Sequence, residues 1–270
     1  MKLVLMGTND WVVPAFDSVA ANHEIMAVFT RAPKPAGRKM ELQKSPVHIW
    51  AQLRNLPVFT NINEYNHNPD FVVVASYGVI LRDNVLNSAP VINLHPSLLP
   101  KYRGPSPMLT SMLNGDTETG VCLMRVTADV DAGDIFMCQK IKIGENDTND
   151  DLEKTVSDVS SKMLIEYLQN PDAYPPQPQI GEPTFCKKFT SADTIIDWNK
   201  SPMEIHNLVR SIGGRTQIDG MDVKILKTRI IDGRLEILQL QPAGKKPMAW
   251  RDFLNGHQSL KQTGFHNVAI

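Results

Sequence analysis

Short apolar runs alternate with amphipathic stretches through the first half of the chain. The runs are rich in branched residues, which favours buried strands, and they cover residues 3–6, 25–30, 71–76 and 91–94. A serine precedes a proline at Ser45-Pro46 and again at Ser106-Pro107. Because serine caps helices and proline suits their first position, we expect helices over about residues 46–55 and 107–114. This alternation predicts an α/β domain with a doubly wound, mostly parallel sheet.

A long amphipathic helix and a proline-rich stretch follow. Apolar residues recur at steps of three or four from Leu152 to Tyr167, after the capping residue Thr148. Five prolines then fall between Pro171 and Pro183, which is typical of a stiff, extended connector. We therefore expect a first domain over residues 1–182, a linker over about 171–185 and a second domain over 186–270.

The second domain is expected to be small and rich in β-structure. A helix is predicted over residues 202–211, and short strands around 223–226 and 235–240 are separated by Gly220 and Gly233.

Composition narrows the class of protein. Hydrophobic residues make up 42% of the chain and charged residues 21%, which excludes a mainly disordered chain. No apolar run approaches the roughly 18 residues that a membrane helix needs, so we expect a cytoplasmic protein without membrane contact. The three cysteines, Cys122, Cys138 and Cys186, are odd in number and lack Cys-x-x-Cys spacing. We expect all three to be reduced, buried thiols and expect no metal site.

Charge is distributed unevenly along the chain. Residues 1–185 carry a net charge of −6, whereas residues 186–270 carry +5. A basic second domain is compatible with binding a phosphate backbone while chemistry takes place in the first domain. A solvated surface without a partner accounts for the same charges equally well.

Two polar residues at the end of the fourth predicted strand are the first candidates for chemistry. Side chains alternate along a strand, so Asn93 and His95 face the same side. Ligands of doubly wound sheets bind at the carboxyl ends of the strands. An amide can donate to a developing oxyanion, and an imidazole exchanges a proton near neutral pH. Taken alone, a buried structural histidine is the simpler interpretation.

The acidic loop over residues 127–134 favours the catalytic interpretation. Asp131 could lie against His95 and set its tautomer and charge, or order a water beside it. Asp129 and Asp134 are expected to be turn formers.

These residues resemble a known family. Asn-x-His-x-Ser-Leu-Leu-Pro over residues 93–100, followed about 30 residues later by Asp-x-Gly-Asp, is similar to the folate-dependent formyltransferases. Those enzymes move a formyl group from 10-formyltetrahydrofolate to an amine. The resemblance implies a Rossmann-like fold and a catalytic set of Asn93, His95 and Asp131. It also implies that two segments contact the folate, namely Ser97, Leu98, Leu99 and Pro100, and Tyr77, Gly78, Val79 and Ile80.

Two further segments resemble the methionyl-tRNA formyltransferases within that family. Residues 30–47 are similar to a basic loop that follows the second strand and approaches the acceptor end of the tRNA, and residues 238–248 are similar to a C-terminal signature. The resemblance implies formylation of methionyl initiator tRNA for translation initiation. The chemistry of that transfer requires no metal, and we expect a monomer. The residues expected to contact tRNA are Arg31, Lys34, Arg38, Lys39, Lys44, Lys245 and Lys246.

The second domain departs from the family in length. Only about 30 residues separate Arg210 from the C-terminal signature, fewer than the family typically has. We therefore expect a shortened, barrel-like domain of the OB type that lacks strands or has very short loops.

The expected mechanism is direct transfer without a covalent enzyme intermediate. Asn93 and a protonated His95 would donate to the oxyanion, while Asp131 favours the imidazolium and helps to move the amine proton through water. Two other hypotheses stay open. The acceptor could be an amino-sugar nucleotide or another small amine, or the chain could be a non-catalytic module that binds folate or RNA.

Overall fold

The computed structural model describes residues 1–37 and 40–257, which divide into two compact units. The first unit contains Met1–Pro107, Thr119–Ile141 and Glu153–Cys186. The second contains Met108–Glu118, Lys142–Leu152 and the chain from Lys187 onward. The expected domain limits of 1–182 and 186–270 stay a prediction. The second compact unit differs from the expected second domain in that it includes two segments that precede the linker.

A mostly parallel sheet forms the centre of the first unit. The strands are β1 (Lys2–Gly7), β2 (Glu24–Phe29), β3 (Lys34–Ala36), β4 (Glu41–Gln43), β5 (Val58–Phe59), β6 (Phe71–Ala75), β7 (Val91–His95), β8 (Glu118–Arg125) and β9 (Ile135–Lys142). Apart from the β3–β4 hairpin, they pair in the order β5-β2-β1-β6-β7-β8-β9. The pairs from β5 to β7 are parallel, and β8 runs antiparallel to β7. All four predicted strands and the mostly parallel sheet are confirmed.

The helices of this part of the chain are α1 (Val13–Ala20), α2 (Pro46–Leu53), α3 (Asp83–Leu86), α4 (Pro107–Leu113) and α5 (Asn149–Gln169). The residues before α1 and α3 make no side-chain cap, whereas α2, α4 and α5 follow the predicted capping residues. The Ser45 hydroxyl accepts a hydrogen bond from the amide of His48 at 3.0 Å, which satisfies one free donor of the first turn of α2. The helices predicted from Ser45-Pro46, Ser106-Pro107 and Thr148 are confirmed. None of the helices in the described ranges is long and apolar enough to cross a membrane.

The prediction of three reduced, buried cysteines is wrong for two of them. Cys122 on β8 and Cys138 on β9 form a disulfide, with Cα atoms 4.2 Å apart, and Cys138 is exposed. The two strands are neighbours in the sheet, so pairing brings together positions that the sequence separates by 16 residues. Spacing motifs do not reveal such a pair. Cys186 is a buried thiol, as expected.

The second unit contains an antiparallel sheet. Its elements are α6 (Pro202–Ile212), β10 (Gly214–Ile218), β11 (Met221–Ile231), β12 (Arg234–Pro242), β13 (Met248–Ala249) and α7 (Trp250–Asn255). Alternate strand residues such as Val223, Ile225 and Ile237 join Val209 of α6 and Phe253 of α7 in one apolar core. The predicted β-rich character is confirmed. In the described part of this unit, the strands form an open sheet with β10 and β13 at its edges rather than a closed barrel, which agrees with the shortness of this region.

Helix α6 also binds the turn over residues 144–147, which belongs to the same unit. His206 donates from Nε2 to the carbonyl oxygen of Glu145 at 3.1 Å and accepts at Nδ1 from the Thr228 hydroxyl at 2.8 Å. Arg210 donates to the carbonyl oxygens of Gly144 and Asp147 at 3.1 and 3.2 Å. Burial lowers the pKa of His206, so its imidazole is neutral near neutral pH.

Candidate active site

The candidate site lies at the carboxyl end of β7, where ligands of doubly wound sheets bind. His95 is buried, with its Nε2 3.0 Å from the carbonyl oxygen of Tyr102. A carbonyl oxygen only accepts hydrogen bonds, so Nε2 carries a proton. The other ring nitrogen, Nδ1, faces the loop between β8 and β9.

Asp131 from that loop completes the group. Its Oδ2 lies 3.6 Å from Nδ1 of His95 and accepts a hydrogen bond from the amide of Gly104 at 2.8 Å. Its Oδ1 accepts from Nδ2 of Asn93 at 3.5 Å. The structure therefore brings the three predicted catalytic residues together, and Asn93 and His95 face the same side.

The environment of His95 favours the neutral imidazole. Burial lowers the pKa of His95, while the Asp131 carboxylate and the Tyr102 carbonyl raise it. Burial is the largest of these effects. Asp131 thus has the predicted influence on the charge of His95, but the protonated His95 of the expected mechanism is not the state that this environment favours.

Backbone groups that were not predicted from the sequence hold this cluster. Gly104 is at φ +117°, and a Cβ there would lie 2.7 Å from the carbonyl oxygen of Cys186. Only glycine places an amide against Asp131 in this position. The motif over residues 91–107 includes Tyr102 and Gly104, but side-chain chemistry gives no signal that their main-chain groups would be used. Gln179, inside the proline-rich stretch, was also missed.

The two segments expected to contact folate follow neighbouring parallel strands. Residues 77–80 come after β6 and residues 97–100 after β7. Val79 and Ile80 are exposed, whereas Tyr77 is buried, and burial raises the pKa of Tyr77 to about 12. Gly78 is exposed, while Leu98 and Pro100 are half-buried. Ser97 and Leu99 are buried, and the Ser97 hydroxyl donates to the carbonyl oxygen of Lys101 at 2.6 Å.

The residues expected to contact tRNA are exposed where the structure describes them. Lys34 lies on β3, Arg31 precedes it, and Lys44 follows β4, where it donates to Gln52 at 2.8 Å. Arg38 and Lys39 lie outside the described residues. In the second unit, Lys245 and Lys246 lie between β12 and β13.

In the described ranges, no group of three or more histidine, cysteine or acidic side chains is arranged to hold a metal ion. The site is instead an amide, an imidazole and a carboxylate, which together supply hydrogen-bond donors and a route for protons.

Comparison with known proteins identifies the family of the chain. Residues 1–168 match the family described as formyl transferase. The chain belongs to the formyl transferase family. Residues 188–234 match the family's C-terminal domain. The candidate site residues Asn93, His95 and Asp131 of this formyl transferase fall inside the first match, and α6, β10 and β11 fall inside the second.

A named relative extends the similarity across almost the entire chain. A methionyl-tRNA formyltransferase of Cereibacter sphaeroides is 32% identical over 290 residues, covering 95% of this chain and 96% of its own.

Solved structures share the fold of this formyl transferase. A methionyl-tRNA formyltransferase from Clostridium thermocellum has a TM-score of 0.65 at 16% identity, covering 90% of this chain and 98% of its own. An N-formyltransferase from Helicobacter canadensis, in complex with folinic acid and dTDP-3-aminofucose, has a TM-score of 0.68 at 21% identity. It covers 92% of this chain and 98% of its own.

Proposed function

We propose that this formyl transferase moves the formyl group of 10-formyltetrahydrofolate to the amino group of methionyl initiator tRNA. The observation that carries the chemistry is the group of Asn93, His95 and Asp131 at the end of β7. The acceptor is supported by a methionyl-tRNA formyltransferase that is 32% identical and aligns with 95% of the chain.

The first step is addition of the amine to the formyl carbonyl, which creates a tetrahedral species with a negative oxygen and a positive nitrogen. Nδ2 of Asn93, which is partly exposed, donates to that oxygen. The side chain of Asp131 is 17% exposed and that of His95 only 4%, so the amine reaches the carboxylate before the imidazole.

The second step moves one proton. The positive amine nitrogen gives its proton, by way of Asp131 or a water beside it, to Nδ1 of neutral His95. The imidazolium that results faces the Asp131 carboxylate, which stabilises it. His95 then returns the proton to the folate nitrogen as the carbon–nitrogen bond to the folate breaks. Formylated amine and tetrahydrofolate leave, and the enzyme forms no covalent bond.

The acceptor is assigned to tRNA through two exposed basic groups. These are the hairpin segment with Arg31, Lys34 and Lys44 in the first unit, and Lys245 and Lys246 in the second. Lysine and arginine that neutralise phosphates release counterions, so tRNA binding weakens steeply with salt. The roles of these residues, and those of residues 77–80 and 97–100 toward folate, are part of the proposal, as are the monomeric state and the cytoplasmic location.

Transfer of labelled formyl from 10-formyltetrahydrofolate tests the proposal. Methionyl initiator tRNA is compared with uncharged tRNA and with amino-sugar nucleotides, and His95→Ala serves as the control. We expect labelling of the charged tRNA alone, and a loss of roughly a hundredfold to ten-thousandfold in kcat for the variant, which lacks the base. Labelling of an amino sugar instead would replace the acceptor. Folate binding without transfer to any amine would mean a non-catalytic binding module.

A further inference from the structure

We propose that Gln179, in the proline-rich stretch, is a positioning residue that fixes the loop carrying Asp131 in the geometry needed for formyl transfer. The inference rests on the proposed function, because it assigns Gln179 an effect on that reaction. The proline-rich stretch, which we expected to be only a connector, then also supports the candidate active site.

The Gln179 side chain uses its whole amide. Nε2 donates to the carbonyl oxygens of Asp131 and Gly133, at 2.8 and 2.9 Å. Oε1 accepts from Nε and Nη2 of Arg103, at 3.1 and 2.8 Å. The Gln179 side chain therefore joins the 131–133 loop to Arg103. The residues on either side of Arg103 belong to the site, because the Tyr102 carbonyl contacts His95 and the Gly104 amide contacts Asp131.

Asp131 needs such support because of its backbone conformation. It lies at φ +48°, in the left-handed region that residues other than glycine rarely adopt. Its contacts to Asn93 and His95, at 3.5 and 3.6 Å, are already long, so a small displacement of the loop would break them. Gln179 binds the carbonyl of Asp131 itself and so acts at the residue whose position matters.

The proline-rich stretch is anchored without the Gln179 side chain. The backbones of Gln177 and Ile135 exchange two hydrogen bonds, both of 2.8 Å. Arg103 donates from its amide to Thr184 and accepts at its carbonyl from Cys186, each at 2.8 Å. Substitution at position 179 therefore removes the contacts to Asp131 and Gly133 while the surrounding main chain stays in place.

Gln179→Leu tests the inference, and Gln177→Leu is the matched control. The Gln177 side chain is exposed and donates only to the nearby carbonyl oxygen of Pro175, at 3.4 Å. We expect Gln179→Leu to lower kcat by about tenfold to a hundredfold while both KM values stay within about threefold. The control should match the wild type. A kcat of Gln179→Leu within twofold of the wild type would overturn the inference.

A double-mutant cycle separates positioning from a general structural effect. If Gln179 acts through Asp131, adding Gln179→Leu to Asp131→Asn should lower kcat no further than Asp131→Asn alone. A full additional loss in the double variant would refute a role through Asp131.

A measurement independent of turnover keeps the two proposals apart. The Gly104 amide donates to the Asp131 carboxylate, so we expect Gln179→Leu to speed hydrogen exchange of that amide by at least about tenfold, with little change in exchange across β1 and β6. Unchanged exchange at Gly104 would overturn the inference. Absence of transfer by the wild type, with exchange at Gly104 still faster in the variant, would overturn the proposed function and leave only the support of the Asp131 loop by Gln179.

Discussion

Asp131 and His95 face each other with unequal access to solvent, the carboxylate 17% exposed and the imidazole 4%. The carboxylate is therefore more accessible to solvent than the imidazole, and its Oδ2 lies 3.6 Å from Nδ1. The charge of Asp131 raises the pKa of His95, so the proposed reaction should depend on pH in a way that can be measured.

The pH profile of catalysis reports the charge of His95. Burial lowers the pKa of His95, and the reaction uses its neutral form, so kcat/KM should be level near neutral pH and fall only below about pH 6.5. Asp131→Asn removes the charge that raises this pKa, so the acid limb should move to lower pH while kcat falls. Profiles between about pH 5 and pH 8 for both proteins check this. An acid limb above pH 6.5 in the wild type would contradict a neutral base.

Stability in acid should depend on His206. Its folded-state pKa is lowered by burial, so the unfolded chain binds more protons than the folded one as the pH falls through about 6.5. The stability that this neutral imidazole contributes is present above that pH and is lost below it. We expect His206→Asn to be less stable at pH 7.5 and to lose less further stability on acidification than the wild type does. Urea unfolding at several pH values measures this. Parallel pH curves would exclude His206 as a source of the acid sensitivity.

The cysteine pairing has a direct chemical test. Unfolded in denaturant without reductant, the chain should present one reactive thiol, that of Cys186, and after reduction three. The two cysteines are 16 positions apart in the sequence, so the disulfide closes a short loop in the unfolded chain. If the disulfide stabilises by restricting the entropy of the unfolded chain, reduction lowers the free energy of unfolding by up to about 3 kcal/mol. Thiol titration and unfolding with and without reductant measure the two effects. Three thiols before reduction would contradict the pairing.

Binding of tRNA should depend on the turn between β12 and β13. Replacing Lys245 and Lys246 with alanine is expected to weaken tRNA binding and to reduce the slope of log affinity against log salt by roughly one per lysine. Lys154 and Lys162, both exposed on α5, provide a control double substitution of equal charge. Equal salt slopes for the wild type and the Lys245, Lys246 variant would remove these residues from the interface.

Local patterns in the sequence predict much of this molecule. The apolar runs predict the strands around Val4 and Val73 because continuous burial on both faces requires continuous hydrophobicity. Ser45 marks the start of α2 because capping is a property of neighbouring residues. The common orientation of Asn93 and His95 follows from strand alternation alone.

Contacts between distant segments were not predictable in the same way. Asp131 meets Gly104 across 27 residues, and Gln179 meets Asp131 across 48. Both depend on how loops return to the end of the sheet, which local periodicity does not specify. The disulfide depends on which residues of β8 and β9 stand side by side, which hydrophobicity left open. The neutral state of His95 depends on how deeply the side chain is buried, and the residue type alone does not predict that depth.

The discontinuous second unit limits how the protein can be divided. A fragment that begins at Lys187 would keep α6 and the sheet but lose the Glu145 carbonyl that binds His206 and the carbonyls that bind Arg210. Two buried polar side chains would then face the cost of desolvation without compensation. Such a fragment is a poor surrogate for this region in the intact chain, so dissection of the enzyme is better done by point substitution than by truncation.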